Sequence, residues 1–232
     1  MLITTLALQN YTLLIAGIIN LVMSILVFSR GIKHNKINRY FSLLTFFNFL
    51  WAIGLLLSRL FIDLEITAIF ARSTYISAIA IVISLLYFIL YFPHKVKGLS
   101  VKLRFFIWFP AIILISIIYS KLFITHFVTS YSDYEYIGYF YKPFYWVYFI
   151  YFIFMSSLTL YFLWQKYKII EGLFKIQIKF LFIAITIGLI FGVYFDLFLL
   201  YFNNYQFNWL GPVFTVFMNA YVFYLIFHSK EK

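Results

Sequence analysis

Cysteine is absent from the 232-residue chain, and charged residues make up only 11% of it. The first absence excludes a disulfide framework, a thiol nucleophile and a thiolate metal site. The second excludes a soluble globular domain, in which about a quarter of the residues carry charge. Acidic residues are scarcest, with 7 Asp and Glu against 18 Lys and Arg, for a formal net charge of +11. No HExxH, GxSxG or P-loop pattern occurs, so hydrolytic and nucleotide chemistry lack their usual residues. The four histidines, His34, His94, His126 and His228, are scattered over both ends of the apolar runs, and metal ligands must converge on one ion. No metal and no cofactor is expected.

What is present is hydrophobic residue, 65% of the chain, with a mean hydropathy of +0.98. A span of about 30 Å of hydrocarbon takes roughly 20 apolar residues. The apolar runs predict an all-α membrane protein, a single domain over residues 1–232. Its seven helices are expected at about 11–28, 40–58, 66–92, 105–123, 144–164, 180–201 and 210–227. The basic residues do not form the solvated face that nucleic acid requires, so a lipid bilayer is the expected partner and nucleic acid is not. Residues 1–10 carry no Lys or Arg ahead of the first apolar run, so no cleavable signal peptide is expected.

The basic residues alternate between loops. Arg30, Lys33, Lys36 and Arg39 follow the first helix, and Lys95, Lys97, Lys102 and Arg104 follow the third. Lys166, Lys168, Lys175 and Lys179 follow the fifth, and Lys230 and Lys232 close the chain. The opposite loops hold Arg59, Lys121 and Lys142 mixed with Asp63, Glu65, Asp133 and Glu135. The positive-inside rule therefore predicts the N-terminus outside and the C-terminus in the cytoplasm.

Residues 175–232 read as two spans joined by a short uncharged turn. Ala184, Gly188, Gly192 and Asp196 recur at intervals of four, which predicts one helix side. Gly188 and Gly192 form a GxxxG, so this side is expected to lie close against a neighbouring helix, with Asp196 facing the bundle interior. In the NWLGP turn, Asn208 is expected to cap the last helix and Pro212 to occupy its first turn. Gly211, Thr215 and Asn219 then share a face, as do Gly17, Asn20 and Ser24 in the first helix and Asn48 and Trp51 in the second. Asn20, Asn48, Thr215 and Asn219 are read as hydrogen-bonding glue between helices. Pro110 is expected to kink the fourth helix.

Several short segments carry a resemblance. These are the Lys175-Ile176-Gln177-Ile178-Lys179 opening of the sixth helix, the NWLGPVFT turn and the closing AYVFYLI. The Asn-Arg-Tyr-Phe start of the second helix, its Trp51, and the third helix ending on Phe92-Pro93 belong with them. Together they resemble the N-terminal seven-transmembrane sensor domain of bacterial histidine kinases. That resemblance implies a multi-pass protein of the bacterial cytoplasmic (inner) membrane, coupled in cis or in trans to a cytoplasmic signalling module and acting as a homodimer. Relatives more often carry Asn at the place of Asp196 and Pro at that of Leu200.

Two charged residues fall inside the expected spans away from their ends, Arg72 and Asp196. Such residues are costly in hydrocarbon, about 2.5–3.5 kcal/mol on insertion scales, and mark functional sites by default. Matched depth and opposite sign predict that they pair in an outward-facing polar pocket. The alternatives are an Arg72 that snorkels to the interface and an Asp196 hydrogen-bonded to a neighbouring helix. Tyr75, Asn208 and Trp209 complete the pocket candidates for an unknown small or lipophilic ligand. The tyrosine-rich stretch 124–143 reads either as an interfacial aromatic belt or as a lid that touches ligand. The function expected is a sensory input domain for an effector such as a histidine kinase, with no enzymatic activity of its own. A small-solute transporter is the alternative, although no internal repeat supports it, and a purely structural membrane subunit is a third reading.

Overall fold

The computed structural model describes residues 2–32, 35–61, 63–93, 99–120, 122–129 and 136–228, without the side chains of 2–5, 126–129, 136–138 and 227–228. Its helices are α1 (Leu2–Ser29), α2 (Lys36–Leu60), α3 (Leu64–Tyr91), α4 (Val101–Tyr119), α5 (Lys142–Ile169), α6 (Gly172–Tyr201) and α7 (Leu210–His228). Each of α1 to α6 is long and apolar enough to cross a membrane, and α7 is a shorter apolar helix. The helices pack as a ring, α1 on α2, α2 on α3, α3 on α5, α5 on α6, α6 on α7 and α7 back on α1. Helix α4 lies against α3 and α5.

Local sequence explains the helix starts. The Asn35 side chain accepts from the backbone of Ile37 and Asn38, Asp63 accepts from Glu65 and Ile66, and Ser100 accepts from Leu103, each satisfying amides that a helix start leaves open. Most helices run further than their apolar stretches. Helix α1 begins at Leu2 and not near residue 11, α5 continues to Ile169, and α6 begins at Gly172 and not near 180. Hydrocarbon thickness limits the apolar run, whereas the backbone ladder continues wherever nothing breaks it.

That continuation relocates several cations. Lys166, Lys168, Lys175 and Lys179 are helical and not loop residues. Lys166 is 1% exposed, and its Nζ donates to the carbonyls of Leu90 (3.1 Å) and Phe92 (2.6 Å). It thus covers the carbonyl end of α3, where a helix dipole favours positive charge.

The stretch 124–143 is a further departure. Strands β1 (Ile124–Thr129) and β2 (Tyr136–Phe140) form an antiparallel hairpin with Ile124 opposite Phe140, and Lys142 already begins α5. Alternating β-branched and aromatic residues favour strands over an open loop. Tyr131 and Tyr134 lie outside the described residues. Pro110 sits within α4, more than two turns from its start.

The core forms two clusters. One joins α1, α2, the second half of α3, the first half of α6 and α7 through residues such as Leu13, Phe41, Phe88, Ile185 and Val222. The other joins α3, α4, the start of α5 and the end of α6 through Leu86, Ile107, Tyr148 and Leu197. Large apolar side chains such as Ile15, Ile112 and Phe217 are exposed on the outside, as a lipid-facing surface requires. Small residues matter where helices cross closely. A Cβ on Gly54 would come within 3.0 Å of Ser73 Oγ and Thr74 Cγ2 of α3.

Polar contacts join α1 to its two neighbours. Ser24 Oγ donates to the Ser42 carbonyl (2.9 Å), and the buried Asn219 Nδ2 donates to Asn20 Oδ1 (2.8 Å). Asn48 instead donates to Leu44 O of its own helix, and Thr215 to Pro212 O of its own. Replacing Asn219 by Leu is expected to lower stability by about 0.6–2 kcal/mol, the range for interhelical polar bonds in membranes. An unfolding titration in mixed micelles reads this directly, and Thr215→Val should lose less.

Candidate functional site

A cavity of about 100 Å³ lies between α2, α3, α5, α6 and α7 at the end of the bundle that carries the hairpin. One wall follows from the period of α3, since Ala71, Thr74, Tyr75, Ala78 and Val82 recur at helical spacing along one face. The hairpin contributes Ile124 and Phe140, so it closes this end over the cavity.

The aromatic wall is braced ring against ring. Tyr75, 9% exposed, meets Phe123, Phe140 and Tyr148 edge to face at centroid distances of 5.2, 5.5 and 5.7 Å. Such arrangements place the positive edge of one ring on the negative face of the next. Phe140 also packs on Tyr145 at 4.6 Å.

Asp196 lines the same cavity from a wide turn in α6. Residues Tyr194–Phe198 form a π-helical segment, a feature that often marks functional sites because it re-aims side chains out of the α register. The Tyr145 hydroxyl donates to the Leu197 carbonyl at 2.6 Å and holds this turn against α5. The Asp196 carboxylate reaches across to the start of α7. A Cβ on Gly211 would overlap its Oδ2 and would stand 2.6 Å from its Cγ and 2.8 Å from Trp51 Cη2. Only glycine leaves room there. Asp196 Oδ2 is buried without a hydrogen-bond partner.

The cation that shares the cavity with Asp196 is Arg59. Arg59 belongs to the last turn of α2, and its guanidinium donates to Gln9 Oε1 of α1 at 3.1 Å and to Asn208 Oδ1 ahead of α7. It lines the cavity beside Asp196. One side chain therefore ties α1, α2 and the α6–α7 turn together beside the one carboxylate.

This corrects the expected pairing of Arg72 with Asp196. Arg72 lies outside the cavity lining, and its Nε is buried without a hydrogen-bond partner. The reason is angular, because one residue is a 100° step and Arg72 is turned off the face that Ala71 and Tyr75 present. Asn208 lines the cavity, while its expected role as cap is corrected, since its side-chain oxygen accepts from Arg59 and the last helix starts only at Leu210. Trp209 packs on the core cluster that contains Trp51 and does not line the cavity. Gly188, Gly192 and Thr215 do line it.

The GxxxG expectation fails for a physical reason. A Cβ at Gly188 would meet only Met218 Sδ at 3.8 Å, and at Gly192 nothing within 4 Å. These glycines leave open space as cavity wall and do not let two backbones touch. Pro212 is buried in the first turn of α7, where its missing N–H is harmless. Arg59 is expected in the loop after a helix at 40–58 and is not among the expected site residues, although no Gly or Pro interrupts the run from Leu55 to the helix end at Leu60. Tyr148, Phe152 and Phe140 carried no signal beyond aromatic abundance. Among the described residues, no group of three or more His, Cys, Asp or Glu could hold a metal ion.

The fold and site together define an α-helical membrane protein of several spans with a mixed aromatic and polar cavity at one end. The chain belongs to the family of N-terminal 7TM regions of histidine kinases, whose model matches residues 12–230. No curated protein and no solved structure matches the chain. The match covers the membrane region of such kinases and no catalytic domain.

Proposed function

We propose that this domain is the sensory input unit of a signalling protein, with the hairpin-end cavity as the place where the stimulus is received. The observation that carries the reading is the convergence of α2, α6 and α7 on one cavity around Asp196 and Arg59. Occupancy there acts directly on the first turns of α7, whose far end leads to the basic residues Lys230 and Lys232. In this reading α7 is the seventh span. The N-terminus and hairpin face outward and the basic loops face the cytoplasm, in a bacterial cytoplasmic membrane. A cytoplasmic effector such as a histidine kinase, in cis or in trans, receives the signal, with the domain paired as a homodimer.

The physics needs only two bundle packings a few kcal/mol apart and a stimulus that favours one. The absence of cysteine makes the test clean, because introduced cysteines are the only labelling sites. Spin labels at Tyr161→Cys and Tyr224→Cys, both exposed on α5 and α7, report the end of the bundle away from the cavity. Gly192→Leu fills cavity space as a stand-in for occupancy. A shift in the label–label distance distribution is expected with the filled cavity. An unchanged distribution with an intact fold would remove the coupling that the proposal needs.

A further inference from the structure

We infer that the cavity binds an uncharged, slender apolar molecule by its carbonyl oxygen, which accepts from the Tyr75 and Tyr148 hydroxyls. This rests on the reading of the cavity as the receiving site and adds the chemistry of what is received. The first argument is an account of hydroxyl donors. Ser58, Thr67, Thr74 and Thr215 line the cavity, and each donates to a backbone carbonyl at 2.7–3.0 Å. Tyr145 and Tyr151 stand outside the lining and donate to Leu197 O and Ile107 O. Tyr75 and Tyr148 do line it, are 9% and 1% exposed, and donate to none of the described residues. Buried hydroxyls are normally paired. Neither phenol oxygen is sealed in the packing, so both donors remain for a guest.

The rings that carry these donors are fixed. Tyr75 and Tyr148 meet edge to face at 5.7 Å, and Phe123 braces both, at 5.2 and 5.5 Å. Donors held this way cost a guest little ordering. A carbonyl oxygen brings two acceptor lone pairs and no donor that needs a partner. A hydrocarbon would leave both phenols unpaired. Charge does not select the guest, because Arg59 and Asp196 line the same cavity and balance. An ion of either sign would find no net charge there to offset its desolvation.

The walls set the shape of the guest. From the hairpin end the lining runs along α3 from Thr67 to Leu85, about 27 Å at 1.5 Å per residue, yet the volume is only about 100 Å³. A cavity that holds benzene measures about 150 Å³ and is compact, so the space here is long and narrow. Away from the hairpin its walls are Ile81, Val82, Leu85, Leu189 and Met218, which favour an apolar chain. Gly188 and Gly192 keep the α6 wall clear for it, since a Cβ at the second would meet nothing within 4 Å. Such a carbonyl could belong to a free molecule or to the acyl chain of a lipid, and the recognition chemistry is shared.

The test uses the full chain in nanodiscs of ether-linked phosphatidylcholine, whose chains carry no carbonyl, titrated with methyl nonyl ketone and followed by calorimetry against empty nanodiscs. Saturable binding is expected, at least tenfold tighter than that of undecane, of undecanoate or of the alcohol made by reducing the ketone. The carbonyl stretch of the ketone should fall in frequency on binding, as donated hydrogen bonds require. Tyr75→Phe combined with Tyr148→Phe keeps both rings and removes only hydroxyls that donate to no described residue, so the double variant should fold like wild type. It should weaken the ketone at least tenfold and leave undecane unchanged. In ester-linked nanodiscs, lost ketone binding assigns a lipid acyl chain as the source, and unaltered binding assigns a free molecule. The inference is overturned if a comparison compound binds wild type as tightly as the ketone, if the double variant binds the ketone like wild type, or if wild type does not bind it. The comparison compounds decide even where the variant does not fold. Such a failure would leave the label-distance test of α7 coupling standing, so the two readings fail separately.

Discussion

Gly211→Ala is expected to destabilise the domain by about 1–3 kcal/mol or more, as overpacking of a tight site does. The new methyl would overlap the Asp196 carboxylate and press on Trp51 Cη2 at 2.8 Å, and neither neighbour is the free end of a flexible chain. The start of α7 must then move away from the π turn of α6, which should also alter the cavity. Gly192→Ala is the matched control. Nothing stands within 4 Å of the added methyl, so its effect should stay within about 0.5 kcal/mol. An unfolding titration of both variants in the same micelles separates the two readings of these glycines. If Gly192→Ala were the costly one, the GxxxG side would be a helix contact after all.

Arg59→Ala carries the second large effect. Its guanidinium serves Gln9, Asn208 and, through its charge, Asp196. Hydrogen bonds to a charged group contribute about 1.5–3 kcal/mol each when buried. With Arg59 only half-buried, screening reduces this, and a total loss of about 2–4 kcal/mol is expected. Asn208 is 7% exposed and would lose its donor, and Asp196 would stand without a compensating cation. Arg72→Ala should cost less, because no hydrogen bond of its guanidinium to Asp196 is lost. A double-mutant cycle of Arg59→Ala with Asp196→Asn gives the decisive number. The double variant should lose less than the sum of the singles, since an orphaned buried charge is the expensive species. Strict additivity would mean that Asp196 is held by something other than Arg59.

Particular residues show how far sequence reading reaches here. The spacing of four that aligned Gly188, Gly192 and Asp196 did place them together on one cavity wall. The same spacing could not say whether the facing helix touches that wall or stands off from it. That depends on the size of Met218 and on where the π turn rotates Asp196, both set by residues of other elements. Arg72 and Asp196 matched in depth along the chain, yet depth is one coordinate out of three. The angular position of each helix in the bundle brought Arg59, and not Arg72, to the cavity that Asp196 lines.

The sequence by itself determined that the chain is a helical membrane protein with basic clusters between its apolar runs, because hydrocarbon thickness and backbone hydrogen bonding act on consecutive residues. Helical spacing is likewise local, so the Gly188–Gly192–Asp196 face was legible in advance. Only the tertiary structure decided that strands Ile124–Thr129 and Tyr136–Phe140 pair beside a cavity, that Lys166 covers the end of α3, and that Arg59 joins α1 to the α6–α7 turn. These are contacts between residues up to 149 positions apart. Their partners are chosen by helix rotation and packing, which no single segment encodes.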